Sequence, residues 1–388
     1  MASLATAATG LLAKTWGFCP MSNLTADAIT CDLDLCICVD RPQTKSMCVR
    51  LLADIFVVGA GGIGCAAGYA LRAGSLDVTF VEADSEKVAW GTRNGVGLDR
   101  HPLLRANFVP FETWHPPPNS TVLLCTKCFD NAAVLGRLPP SVSLMPIQNG
   151  FDQALRGRTV IEGIASFVSE CLPKRTHSLI TRGGELHIGG GKAKATSPSV
   201  ELVIQSLERH GSFRVKRVPD VLPYKYAKVM YSAAISPLAA VAGLDNSQLL
   251  TIRKARRFFF EILRENYGIL KAARVPLGTV GPFHPDTVDR ILRWPVIARV
   301  MAWPFAWSLR NTYCSMTGDI PKGRTEIEYF NGHLIELAGD REIPLNRRAH
   351  ALVKRMEQQR ATPARHWLDE LVIASDKPIG SPKEQLYG

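Results

Sequence analysis

The chain has 388 residues, which at roughly 150 per domain suggests two domains or three rather than a single core. Apolar residues make up 46% and charged residues 21%, close to the soluble globular average, so a wholly disordered, collagen-like or membrane-embedded chain is excluded. The net charge of +11 favours anionic partners, but the basic clusters at Arg253, Lys254, Arg256 and Arg257 and at Arg214, Lys216 and Arg217 lack the interleaved aromatics on which bases stack, so nucleic acid is not expected.

Residues 1–26 carry Lys14 and no acid, and they lack the order of a secretory signal. Segment 1–52 is expected to be a disordered extension, an over-extended start or an organellar transit peptide, with the cytoplasm as the default compartment. Half of the ten cysteines precede residue 50, in a chain too long to resemble a small disulfide scaffold, so reduced thiols are expected. The spacing of Cys31, Cys36, Cys38 and Cys48 matches neither a zinc knuckle nor the common iron–sulfur runs, and no metal is expected.

From Asp54 the sequence reads Asp-Ile-Phe-Val-Val, then Gly59-Ala60-Gly61-Gly62-Ile63-Gly64, then Cys-Ala-Ala-Gly-Tyr-Ala-Leu, the pattern of a strand, a glycine turn and a helix. A pyrophosphate needs backbone N–H groups at a helix N-terminus with no side chains in the way, which G-x-G-x-x-G supplies. A second strand, Val78-Thr-Phe-Val81, ends in Glu82, 23 residues after Gly59, where a ribose-binding acid belongs. A carboxylate there accepts from the ribose 2′-hydroxyl and repels a 2′-phosphate, so Glu82 favours NADH, although Lys87 leaves a phosphate clamp open.

The strand over 121–125 runs into Thr126-Lys127-Cys128, and that over 142–147 ends at Gln148-Asn149-Gly150. In a doubly wound sheet ligands sit beyond the carboxyl ends of strands, so Lys127 and Asn149 would face the nicotinamide end of a cofactor. Singly, Lys127 reads equally as a solvated lysine and Asn149 as the left-handed residue of an Asn-Gly turn. Cys125-x-x-Cys128 lacks a thioredoxin-like context and reads as two packed thiols. Strand patterns continue at 160–168, 178–180, 185–188 and 213–215, with Gly183-Gly184 as a hairpin turn and 198–210 as a helix.

After Pro219 helical patterns dominate, at 221–242, 246–273, 284–292, 324–339 and 346–360. The predicted architecture is an α/β Rossmann-type N-terminal domain over 53–220, an all-α C-terminal domain over 221–370, and a disordered tail over 371–388. Lys228, Ser232 and Ser236 recur every four residues and share one face of the first helix. A lysine buried there would have a lowered pKa and could donate a proton, whereas at the surface it would merely snorkel. Pro237 predicts a kink. The run over 293–310, with Trp294, Trp303 and Trp307, is expected to be core or a dimer contact, with a lid or a membrane-surface patch as alternatives; its two prolines argue against a long helix. No membrane span is expected.

Taken in order, the glycine loop, Thr126-Lys127, Gln148-Asn149-Gly150, Lys228 with Ser236-Pro-Leu-Ala, Ser315-Met with Asp319, and Gly323-Arg-Thr-Glu326-Ile with Asn331-Gly332 resemble the ketopantoate reductases, or 2-dehydropantoate 2-reductases, over about 54–360. The resemblance implies a helical domain like that of 6-phosphogluconate dehydrogenase and NAD(P)H-dependent reduction of an anionic 2-oxo acid, most naturally 2-dehydropantoate in pantothenate biosynthesis, with a homodimer as the candidate assembly. It implies that Lys228 is the general acid and that Glu326 orients that lysine or the substrate hydroxyl. Ser315 would hold the substrate carboxylate, with Lys127 and Asn149 on the nicotinamide and its ribose. Two departures stand out. The family has asparagines where this chain has Ser232 and Ser236, shorter groups that alter substrate contacts. The family mostly uses NADPH, whereas Glu82 points to NADH. A dehydrogenase for a different oxo or hydroxy acid and a non-catalytic dinucleotide-binding regulator are the rival readings.

Overall fold

The apolar run that ends at the glycine loop becomes the central strand of a parallel sheet. In the computed structural model, which describes residues 53–158, 161–190 and 197–373, β1 (Ile55–Val58) is buried along its whole length. A strand covered on both faces has no polar side to present, which is why Ile-Phe-Val-Val does not alternate. The expectations for segment 1–52 with its cysteines, and for the tail beyond 373, lie outside the described residues.

The chain continues through α1 (Gly62–Ala73), β2 (Val78–Glu82), α2 (Ser85–Asn94), β3 (Gly97–Leu98), β4 (Asn107–Pro110), β5 (Thr121–Leu124), α3 (Asn131–Leu135) and β6 (Ser143–Pro146). Five of these strands lie in the order β4-β2-β1-β5-β6, all parallel, with Ile55 opposite Val78 on one side and Thr121 on the other. The chain winds outward from β1 to β4 and then restarts at β5 on the opposite side. The switch point therefore falls between the carboxyl ends of β1 and β5, where such sheets bind ligands. Apolar layers cover both faces, one around Val57, Leu71 and Leu123 and the other around Val58, Trp114 and Leu124.

β7 (Glu162–Ala165), β8 (Val168–Cys171), β9 (His177–Arg182), β10 (Glu185–Gly189), α4 (Pro198–His210) and β11 (Arg214–Arg217) complete the α/β half. They form two small sheets, β11-β10-β7 and β3-β9-β8, so the apolar stretch at 160–168 divides between two sheets instead of making one strand.

The helical half comprises α5 (Leu222–Ala242), α6 (Gln248–Thr251), α7 (Arg253–Ala272), α8 (Pro285–Leu292), α9 (Pro295–Ser308), α10 (His333–Ala338), α11 (Pro344–Gln359) and α12 (Arg365–Ile373). Its core gathers Met230, Phe258, Ile262, Leu334 and Val353. The helix assigned to α5 continues through Pro237. The pattern at 246–273 breaks at Ile252, whose extended backbone separates α6 from α7.

The tryptophan-rich run departs from the expectation of a core segment. It forms a helix, α9, with Pro295 in the first turn, where its missing N–H costs nothing, and with Pro304 inside. Nor are its tryptophans core: Trp294, Trp303 and Trp307 are 65%, 78% and 70% exposed, while Ala298, Ala302 and Ala306 face inward. Alanines at four-residue spacing line one helix face, so they settle against the neighbouring helices and turn the large residues outward. No described helix is long and apolar enough to cross a membrane.

Candidate functional site

The turn from β1 to α1 is built on glycine. Gly59 has φ +94°, in the left-handed region that favours glycine, and a Cβ on Gly64 would stand 1.9 Å from the Gly59 carbonyl oxygen. Nothing stands within 4 Å of a Cβ built on Gly61, which leaves open space at the helix N-terminus. The first α1 hydrogen bond runs from the Cys65 N–H to the Gly61 carbonyl (2.9 Å), so the preceding N–H groups have no helical partner. These features fit a dinucleotide pyrophosphate.

Glu82 closes one side of this turn. It accepts from the N–H groups of Ala60 (3.0 Å), Ala83 (2.8 Å) and Asp84 (3.1 Å), a set that fixes the carboxylate. Lys87 lies 3.6 Å from Glu82 and donates to the Ala60 carbonyl at 3.1 Å. Burial works against the charge on Lys87, but Glu82, with smaller help from Cys171, Cys65 and Asp84, raises the ammonium above its ordinary pKa. The thiols of Cys65 and Cys171 donate to the same Ala60 carbonyl, at 3.3 and 3.5 Å. Cys65 and then Lys87 draw the Cys171 thiol below its ordinary pKa against the effect of burial. Sequence reasoning missed this pair because its members stand on α1 and β8, far apart in the chain.

The second cluster joins the two halves. Beyond β5, Lys127 Nζ donates to Ser315 Oγ at 2.8 Å and to Glu326 Oε2 at 2.9 Å, and lies 3.3 Å from Asp319. The other Glu326 oxygen accepts from the Cys128 N–H at 3.3 Å. Burial opposes the charge on Lys127, but the Glu326 and Asp319 carboxylates prevail and hold its pKa above the ordinary lysine value. Arg324 reinforces the contact, with its guanidinium 4.3 Å from the Phe129 ring centroid and 3.6 Å from Asp130. Thr325 donates to Glu357 (2.6 Å) and accepts from the Ile327 N–H (3.2 Å), which opens the helical turn that follows. The Asn331 of the Asn-Gly pair is structural: its amide donates to the Ala233 carbonyl of α5 at 2.9 Å.

Asn149 stands beside this cluster, half-buried and without a positive φ, so it is not the left-handed residue of a turn. Its neighbours are tied down. Gln148 donates to the Thr126 carbonyl at 2.9 Å, and Phe151 N–H donates to the Tyr329 carbonyl at 3.0 Å. Among the described residues the Asn149 carboxamide makes no hydrogen bond.

The polar face of α5 connects this cluster to a cavity. Ser236 is buried and close enough to Cys314, next to Ser315, to influence its thiol, whereas Ser232, one turn back, is half-buried. Lys228, a further turn back, lines a cavity of about 660 Å³ that also touches the β9–β10 turn, α7, α8 and α9. Burial, and then the Arg182 guanidinium, push the Lys228 ammonium down to about 8. Eight residues of helix separate Lys228 from Ser236, about 12 Å of rise. Among the described residues Glu326 pairs with Lys127 and makes no ion pair with Lys228. Cys125 and Cys128 are free thiols, and burial raises the pKa of both.

Residues 55–189 match the family model for ketopantoate reductase PanE/ApbA, and residues 220–357 match the model for the C-terminal part of the same family. The chain is 24% identical over 313 residues to the 2-dehydropantoate 2-reductase of Pyrococcus horikoshii, covering 78% of this chain and 97% of that protein. Among solved structures, a PanE/ApbA family ketopantoate reductase from Ralstonia eutropha is similar with a TM-score of 0.62 at 20% identity, over 79% of this chain and 99% of the other. The ternary structure of a D-mandelate dehydrogenase with NADH and anilino(oxo)acetate reaches 0.64 at 15% identity, again over 79% and 99%. At such identities the structural likeness speaks to the fold.

Proposed function

Because the chain belongs to the ketopantoate reductase family, whose members are NAD(P)-dependent oxidoreductases acting on CH–OH groups, we propose that it reduces a 2-oxo acid to the 2-hydroxy acid, with Lys228 as the proton donor. The observation that carries this reading is a lysine on the polar face of α5, lining a cavity, brought to about 8 by burial and the Arg182 charge. A reduced nicotinamide, when bound, supplies the hydride. As negative charge builds on the carbonyl oxygen, an ammonium within hydrogen-bond reach stabilises it and transfers its proton to that oxygen, leaving neutral Lys228. A donor with a pKa near 8 is protonated at neutral pH yet gives up its proton readily.

Lys127 and Glu326 play a different part from the one their sequence motifs suggest. As a bonded pair they fasten the β5 loop to the helical half, with Ser315 as a third partner of the lysine. Ser315 then receives the substrate carboxylate and Asn149 faces the nicotinamide. NADH is the proposed cofactor, because Glu82 is pinned by three backbone N–H groups and cannot swing aside for a 2′-phosphate. 2-Dehydropantoate is the first substrate to try. Initial rates of NADH and NADPH oxidation with and without it test the reaction, and the expected result is oxidation that depends on the oxo acid and fails in Lys228→Ala.

A further inference from the structure

The cavity beside Lys228 is larger and more apolar than a short hydroxylated oxo acid needs. Its volume of about 660 Å³ lies in the range of pockets that take drug-sized ligands. Tyr231, Ile235, Phe259, Leu263, Met301 and Phe305 supply much of the wall. Part of the space exists because α9 presents Ala298 and Ala302 to it beside Met301 and Phe305, and turns Trp303 and Trp307 outward. Apart from the Tyr231 hydroxyl these side chains offer little to a substrate hydroxyl or to water, so an apolar chain is the group this part of the wall suits.

Charge in the cavity is arranged unevenly. Glu185 is paired with Lys216 at 2.8 Å, while His187, 3.4 Å from Glu185, makes no hydrogen bond through either ring nitrogen among the described residues. Arg182 and Lys228 also line the cavity, and among the described residues neither has a hydrogen-bonded or ion-paired partner. Arg182 ends β9 and Lys228 stands on α5, close enough for each charge to act on the other. Two unpaired cations at the edge of an apolar hollow match a carboxylate and an adjacent carbonyl attached to an apolar tail.

We propose that this cavity receives the side chain of the substrate, which is therefore a 2-oxo acid bearing a long or aromatic apolar tail, with Arg182 binding its carboxylate. The proposal rests on the reductase reading above and names the substrate class for that site. Arg182 shares the anion with Ser315 or replaces it. Ser232 and Ser236 agree with this assignment, since a substrate without a hydroxyl has no use for carboxamides at those positions.

The test uses the full chain and measures kcat/KM for straight-chain 2-oxo acids of increasing length, phenylglyoxylate and 2-dehydropantoate. Each added methylene should raise kcat/KM about fourfold until the cavity is full, and 2-dehydropantoate should fall below the longer acids. Ala302→Phe should move the optimum to shorter tails, and Arg182→Gln should raise KM at least tenfold across the series (about, by the usual cost of losing a charged hydrogen bond). In parallel, the fluorescent acid 11-(dansylamino)undecanoate should bind the wild type and bind Arg182→Gln at least tenfold more weakly by the same reasoning, roughly. Rates that are flat or falling with tail length, or probe binding indifferent to Arg182, overturn the proposal even if short oxo acids are reduced. Arg182-dependent probe binding without turnover of any oxo acid supports the cavity assignment and removes the reductase reading instead.

Discussion

Raising the pH through about 8 should remove the proton from Lys228, and this gives the proposed mechanism its most direct test. In the folded chain the ammonium is brought from 10.5 to about 8, first by burial and then by Arg182, a difference worth about 3 kcal/mol between its two protonation states. For activity the sign is simple. Below about 8 the acid is present and kcat/KM for reduction should be level, and above it kcat/KM should fall about tenfold per pH unit. For stability, between about 8 and 10.5 the unfolded chain holds a proton that the folded chain has lost, so stability rises with pH in that window. The assay is the initial rate of NADH oxidation from about pH 6 to 10, on wild type, Lys228→Ala and Arg182→Gln. Lys228→Ala should lose about two to four orders of magnitude and the break together. In Arg182→Gln the break should move upward but stay below the free lysine value, because burial remains. A level profile across the window, or a break that persists without Lys228, would refute the reasoning.

Three further outcomes are expected. Glu326→Gln leaves Asp319 as the remaining ion-pair partner of the partly exposed Lys127 and should lower unfolding stability by about 2 kcal/mol in denaturant melts, less than for a fully buried pair; an unchanged midpoint would show that the pair is not what joins the two halves. Gly61→Ala points a methyl into open space, so its melting temperature should hold while dinucleotide affinity, read by calorimetry, drops about tenfold or more. Gly64→Ala should by contrast disturb the fold itself, since its Cβ meets the Gly59 carbonyl, and equal melting temperatures for the two variants would contradict the geometry. Glu82→Ala should lower the preference for NADH over NADPH in kcat/KM, and an unaltered ratio would mean that Lys87 or another group sets it.

The parts that were legible in the sequence are those in which neighbours along the chain are neighbours in space. Ile55–Val58, the glycines and α1 follow one another directly, so strand, turn and helix could be read together with Glu82 at the end of the next strand. The same holds for α4, read at its observed ends, and for Lys228, Ser232 and Ser236, whose four-residue spacing already implied a shared face. The prolines of the tryptophan-rich run misled for a local reason. Pro295 marks a helix start rather than a break, and the three alanines of that run, not its tryptophans, meet the neighbouring helices.

What the sequence by itself determined is the glycine turn after β1, the order of an α/β half and a helical half, and the motifs shared with the family. The tertiary structure decided which of them meet. Lys127 and Glu326 are 199 residues apart, and nothing local could favour that pair over Lys228 with Glu326. Arg182, at a strand end without a motif, becomes a neighbour of Lys228 only once β9 is set against α5. The hollow beside them arises from the inward alanines of α9 together with walls from several separate elements, and a cavity belongs to packing rather than to any one segment.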